Sequence, residues 1–150
     1  MYPMYGVREI DRRECLRLLA TAPVGRIVHT RHALPSVLPV PFCLDADSAV
    51  VVRTSATSQP VSAIDRAVVA FQADEVDPAV RSGWSVVVTG RATVVTDPAE
   101  HERLRGSGPR SWRTWHHDIS FRIEPELVTG TELGEQRRVH EARRTPGNVM

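Results

Sequence analysis

Trp84-Ser85-Val86-Val87-Val88-Thr89-Gly90-Arg91-Ala92-Thr93-Val94-Val95-Thr96 is the stretch on which the fold turns. Its β-branched residues favour a pleated, half-buried strand over a helix. It is long for a strand in a chain of 150 residues, and Gly90 in its middle predicts a bulge or a sharp barrel corner. Working outward, Ala67-Val68-Val69-Ala70-Phe71-Gln72-Ala73 precedes it as another strand, separated by an acidic loop through Asp74-Glu75-Val76-Asp77-Pro78. Ile119-Ser120-Phe121-Arg122-Ile123 follows it after a loop over Gly106 to His117. Towards the N-terminus, Gly25 opens the strand Arg26-Ile27-Val28-His29-Thr30, and a turn near His32 to Pro35 leads into Val37-Leu38-Pro39-Val40-Pro41-Phe42-Cys43-Leu44. A turn at Asp45-Ala46-Asp47-Ser48 and the strand Ala49-Val50-Val51-Val52-Arg53-Thr54 close a hairpin.

Pro39 and Pro41 cannot donate to a ladder on their side of the strand, so that side must face something other than sheet. Three short helices complete the pattern. Asp11 and Glu14 have capping-box spacing at the head of a helix over roughly residues 11 to 21, which Pro23 stops. Another helix runs from about Val61 to Arg66, and Asp97-Pro98-Ala99-Glu100 opens a third. The reading is mainly β: a six-stranded antiparallel Greek-key barrel with short flanking helices over residues 1–134. Residues 135–150 carry Arg137, Arg138, Arg143 and Arg144 with no apolar period, and read as a disordered tail.

Apolar residues make up 41% and charged residues 25%, an ordinary globular composition, and a net charge of +1 supplies no field that would draw the chain to nucleic acid. All 19 basic residues are arginine, so no Schiff-base lysine exists and any phosphate must be held by guanidinium forks, hydroxyls or backbone amides. Cys15 and Cys43 form neither a disulfide framework nor a zinc pattern. His116 and His117 are adjacent and point apart on an extended chain, which argues against a metal site. His29 and His32 read as surface or interface residues. The N-terminal residues lack the pattern of a signal peptide and no apolar run spans a bilayer, so the expectation is a cytoplasmic protein without membrane contact. Neither a nucleophile elbow nor a dinucleotide fingerprint is present.

Two segments carry candidate chemistry. Arg53-Thr54-Ser55-Ala56-Thr57-Ser58 packs a guanidinium and several hydroxyls just before a helix N-terminus, groups suited to a phosphate monoester. Gly83-Trp84-Ser85-Val86 places an indole and a hydroxyl at the head of the longest strand, either to cap the barrel end or to wall a planar heteroaromatic ligand.

In order and spacing these segments resemble the pyridoxamine 5′-phosphate oxidase-like, FMN-binding split-barrel family, from about Asp11 to Leu133. The elements that carry the resemblance are Val24-Gly25-Arg26-Ile27, Leu38-Pro39-Val40-Pro41-Phe42, Val52-Arg53-Thr54 and Val69 through Asp77. Gly83 through Ala92 and Ile123-Glu124-Pro125-Glu126-Leu127-Val128-Thr129-Gly130 complete them. The resemblance implies a homodimer with FMN in a cleft between two barrels and a small-molecule substrate. It places Leu38, Pro39 and Val40 along the flavin ring and Thr54 beside the phosphate, where Arg53, Ser55 and Ser58 of the same hydroxyl-rich segment stand as further candidates. The family's Arg-Lys pair falls on Gln59 and Pro60, and Ser85, next to Trp84, stands where the oxidase has a flavin-contacting glutamine. That departure implies weak FMN binding, a deazaflavin, or a non-catalytic ligand-binding or sensory dimer with no cofactor. The oxidase's substrate-binding signature is replaced by Trp112, Arg113, Trp115, His116 and His117 at different spacing. No side chain stands out as an acid or base, which suits a flavin-dependent oxidoreductase whose cofactor carries the chemistry. The dimer interface is expected to include the strand from Leu38 to Cys43 and the loop bearing Trp112 and Trp115.

Overall fold

The computed structural model describes residues 7–55, 61–107 and 118–134. Their elements are β1 (Val7–Ile10), α1 (Arg12–Leu19), β2 (Val24–Arg31), β3 (Leu34–Leu44), β4 (Val50–Ser55) and α2 (Val61–Ile64), followed by β5 (Val68–Asp77), β6 (Ser82–Val94), α3 (Pro98–Ser107), β7 (Asp118–Ile123) and β8 (Leu127–Leu133). The expected tail over 135–150 and the loop bearing Trp112 and Trp115 lie outside the described residues.

β2, β3, β4, β7, β6 and β5 pair in that cyclic order, every pair antiparallel, and close a six-stranded barrel. The pairings β2–β5 and β4–β7 join strands that are not consecutive in the chain, as a Greek key requires. Closure depends on β6. Ser82 to Arg91 pair with β5, and Ala92 to Val94 pair with β7. Gly90 sits at this corner, where a Cβ would lie 1.7 Å from the Glu124 carbonyl oxygen. The close backbone approach explains the glycine.

Two strands lie beyond those read from sequence. β8 pairs with β6 from Gly83 to Thr89, and β1 pairs with β8, so a sheet extension projects past the barrel. The acidic segment Asp74–Asp77 is not a loop either. It continues β5 against Ser82–Ser85, because the β6 backbone offers it a ladder whatever its side chains.

Alternate residues of each barrel strand point inward: Ile27, Val40, Phe42, Val50, Val52, Phe71, Val86, Val88, Phe121 and Ile123 form the core. The Phe42 and Phe71 rings meet with centroids 4.7 Å apart, tilted by 59°. Gly25 faces this pair, and a Cβ there would lie 2.1 Å from Phe71 Cζ. One barrel end is covered by α1, whose Cys15 and Leu19 are buried and whose N-cap Asp11 accepts from the Glu14 N–H at 2.8 Å. The other half of the expected capping box is replaced, since the Glu14 carboxylate pairs with Arg17.

Candidate functional site

β3 and β4 are hydrogen-bonded over only Phe42↔Val52, Cys43↔Val51 and Leu44↔Val50. From that junction both strands run on in the same direction, β3 back to Leu34 and β4 out to Ser55, with no pairing between them. Proline explains the halt. Pro41 is next after Cys43 on the β4-facing side, and it has no N–H to donate. β3 stays paired to β2 along its whole hairpin, and β4 to β7 through Thr54 and Ser55. Between them the barrel wall is split. Leu38, Pro39 and Val40 stand on the β3 side of this split, and Thr54 and Ser55 on the β4 side, with Val40 and Thr54 buried. Ser58 and Gln59 follow Ser55 in the chain but lie outside the described residues.

Arg53 is placed differently from its neighbour Thr54. Consecutive strand residues face opposite sides, and Val50 and Val52 are in the barrel core. Thr54 follows them, whereas Arg53 and its cross-strand partner Ser120 face out beneath α3. Arg53 is 8% exposed, and its Nη2 donates to the Leu104 carbonyl at 3.1 Å. Its Nε is 4.0 Å from Asp118 Oδ2. Among the described residues Arg53 Nε, Asp118 Oδ1 and Ser120 Oγ are buried without hydrogen-bond partners. The fork read from sequence as a phosphate ligand is thus engaged by the last turn of α3, whose free carbonyls attract a cation.

Asp45 holds α3 in that position. It accepts from Arg103 of α3 at 2.8 Å and from Arg122 of β7 at 2.7 Å, and these bonds, with one from the Ala46 N–H, keep its carboxyl far below the usual range. Arg103 also pairs with Glu100, and Arg122 with Asp47 and with Glu124.

Trp84 and Ser85 part company in the same way. Trp84 is 8% exposed and packs with the core, its edge reaching a cavity of about 600 Å³ bordered by Arg8, Glu14, Arg17 and Glu132. Ser85 faces outward and joins a polar chain across three strands. Arg26 Nη1 donates to Gln72 Oε1 at 3.0 Å, and Gln72 Nε2 donates to Asp74 Oδ2 at 2.8 Å and to Ser85 Oγ at 3.2 Å. Arg26 and Gln72 stand in segments that carry the family resemblance, but nothing in the sequence marks them as site residues beyond their place in the outward set on β2 and β5. Around them the outer sheet face is apolar, with Val37 56%, Val68 58% and Leu127 57% exposed.

The sequence places His29 at a surface or interface, but the structure turns it inward from β2, 4% exposed, and among the described residues its Nδ1 has no hydrogen-bond partner. Burial, helped by the Arg31 charge, pushes its imidazole below the usual range. Among the described residues no cluster of His, Cys, Asp and Glu could hold a metal, and no helix is long and apolar enough to cross a membrane.

The model of the family described as pyridoxamine 5′-phosphate oxidase matches residues 11–132. The chain belongs to the pyridoxamine 5′-phosphate oxidase-like family. The chain is 44% identical over 135 residues to an uncharacterized protein of Mycobacterium tuberculosis, covering 85% of this chain and 86% of the relative. Among solved structures it is similar to an FAD-binding protein from Mycobacterium smegmatis, with TM-score 0.65 and 31% identity over 85% of this chain and 98% of that one. It also resembles an FAD-binding protein from Mesorhizobium loti, with TM-score 0.72 and 25% identity over 86% and 98% of the two chains.

Proposed function

We propose that this chain binds a flavin in the split between β3 and β4 and acts as an FMN-dependent oxidoreductase on a small molecule. The observation that carries the reading is the cleft itself, where two strand edges in the barrel wall leave each other unpaired beside hydroxyls at its mouth. Relatives of the same family that bind FAD support the flavin. FMN and FAD share the isoalloxazine, ribityl chain and first phosphate, the part for which the residues present fit. Leu38, Pro39 and Val40 would flank the ring, and Thr54, Ser55, Ser58 and Gln59 would meet the phosphate. Arg53, turned under α3, would add positive potential from behind rather than a direct fork. Flavin, when bound, supplies hydride chemistry, while the protein orients the ring and excludes water.

The functional unit in this reading is a homodimer. Ser85 lies on β6, three strands from β3 across β5 and β2, or about 14 Å at the usual strand spacing. One subunit cannot bring Ser85 and Pro39 to the same ring edge, but a second copy docking its outer face can. The exposed Val37, Val68 and Leu127 give that face the apolar surface an interface needs.

A second reading has one observation in its favour: Gln59 and Pro60 leave the phosphate loop without a cation. The chain would then be a non-catalytic sensory or ligand-binding dimer, or would take a deazaflavin. Reconstitution with FMN, FAD and a deazaflavin, followed by dialysis and absorption spectroscopy, separates these. Flavin bands that survive dialysis, in a protein that oxidises a reduced nicotinamide, are the expected result. A protein that stays colourless with every cofactor refutes the flavin reading.

A further inference from the structure

The β2–β3 ladder gives a direction to every backbone group of β3. The turn is His32-Ala33, both with positive φ (51° and 62°), and Arg31 pairs with Leu34 across it. Such a tight hairpin closes on a hydrogen-bonded pair, and hydrogen-bonded and non-hydrogen-bonded pairs then alternate. Ser36, Leu38 and Val40 therefore turn their backbone groups to β2. Pro35, Val37, Pro39 and Pro41 turn theirs to the split. Three of the four residues on that side are proline, so the edge offers carbonyls throughout and an N–H only at Val37. Among the described residues no strand pairs with it there.

An edge of this composition cannot be extended by another strand, which would need donors and acceptors in alternation. It suits instead a planar ligand that brings its own N–H. The oxidised isoalloxazine carries acceptors at N1, O2, O4 and N5 and a single ring N–H, at N3. We propose that the proline edge of β3 selects its ligand by that donor: the flavin's N3–H is donated to the Pro39 carbonyl, and the ring acceptors on either side of it receive nothing from the flanking Pro39 and Pro41 nitrogens. Pro39 and Pro41 are then specificity determinants that act by the N–H they lack. This rests on the flavin reading above and adds the orientation of the ring, pyrimidine end towards β3.

The test is a fluorescence titration of wild type and Pro39→Ala with FMN and with 3-methyl-FMN, which lacks the N3 hydrogen. Wild type should bind 3-methyl-FMN about tenfold or more weakly than FMN, the loss that accompanies an unpaired acceptor. Pro39→Ala returns a donor to the edge for a ring acceptor and should tighten FMN by about two- to tenfold. The wild-type comparison stands whether or not the variant folds, and Pro41→Ala provides a second variant in which the same tightening is expected. Equal affinity of wild type for FMN and 3-methyl-FMN overturns the proposal, as does the absence of tightening in both folded variants, while flavin binding itself stands. If neither flavin binds wild type, the flavin reading falls and this proposal falls with it.

Discussion

Replacing Arg53 tests whether its guanidinium serves the fold or the ligand. In Arg53→Met the Nη2 bond to the Leu104 carbonyl is lost, and Asp118, 4.0 Å from Nε, keeps a carboxylate with one buried oxygen unpartnered. A hydrogen bond from a charged donor is worth about 1.5–3 kcal/mol. The Asp118 side chain is 21% exposed and too far from Nε for a hydrogen bond, so the ion pair adds little. A loss of about 2 kcal/mol is expected, which lowers the melting temperature of a domain of this size by about 4–8 °C. Urea unfolding and thermal melts of the flavin-free protein measure it, and Arg53→Met combined with Asp118→Asn should recover part of the loss. The reasoning is refuted if flavin-free Arg53→Met is as stable as wild type while its affinity for FMN collapses and its affinity for riboflavin does not. The guanidinium would then act on the phosphate.

Acid should loosen α3. Asp45 is depressed in the folded state, so its contribution is complete above the unfolded carboxylate value of about 3.9 and is lost as pH falls through that value towards the lower folded one. Melting temperatures followed from pH 7 down to about pH 3 should decline below about pH 4, with a shallower decline in Asp45→Asn. Gly25→Ala drives a methyl to 2.1 Å from Phe71 Cζ and should cost about 1–3 kcal/mol in urea unfolding. Gly106→Ala, in α3 with nothing within 4 Å, should instead stabilise by up to about 1 kcal/mol. Val37→Glu with Leu127→Glu places charge on the exposed apolar face and should convert the proposed dimer to monomer in sedimentation. A double variant that still sediments as a dimer removes that face as the interface.

The sequence alone determined the barrel strands, because alternation and β-branching mark a wall with one buried face, and Val86 and Val88 indeed point inward while Val87 does not. It also determined that one side of β3 is unpaired, because a proline lacks its donor in any fold. The order of the segments identified the family. Tertiary structure decided the rest. β8 is held by a backbone ladder to β6 and β1 by one to β8, and a segment such as Thr129-Gly130-Thr131-Glu132 shows no apolar period for a reader to find. Asp74 to Asp77 reads as a loop for the same reason. The two faces of β4 were equally illegible: Val50, Val51 and Val52 are all fully buried, one side by the core and the other beneath α3, so the run does not alternate. Alternation parts Arg53 and Thr54 to opposite sides, but only the closed barrel and the α3 cover reveal which side is core and which lies beneath the helix. Alternation fixes which neighbours share a face, but which face meets a helix, the core or a ligand depends on strands and helices far away in the chain.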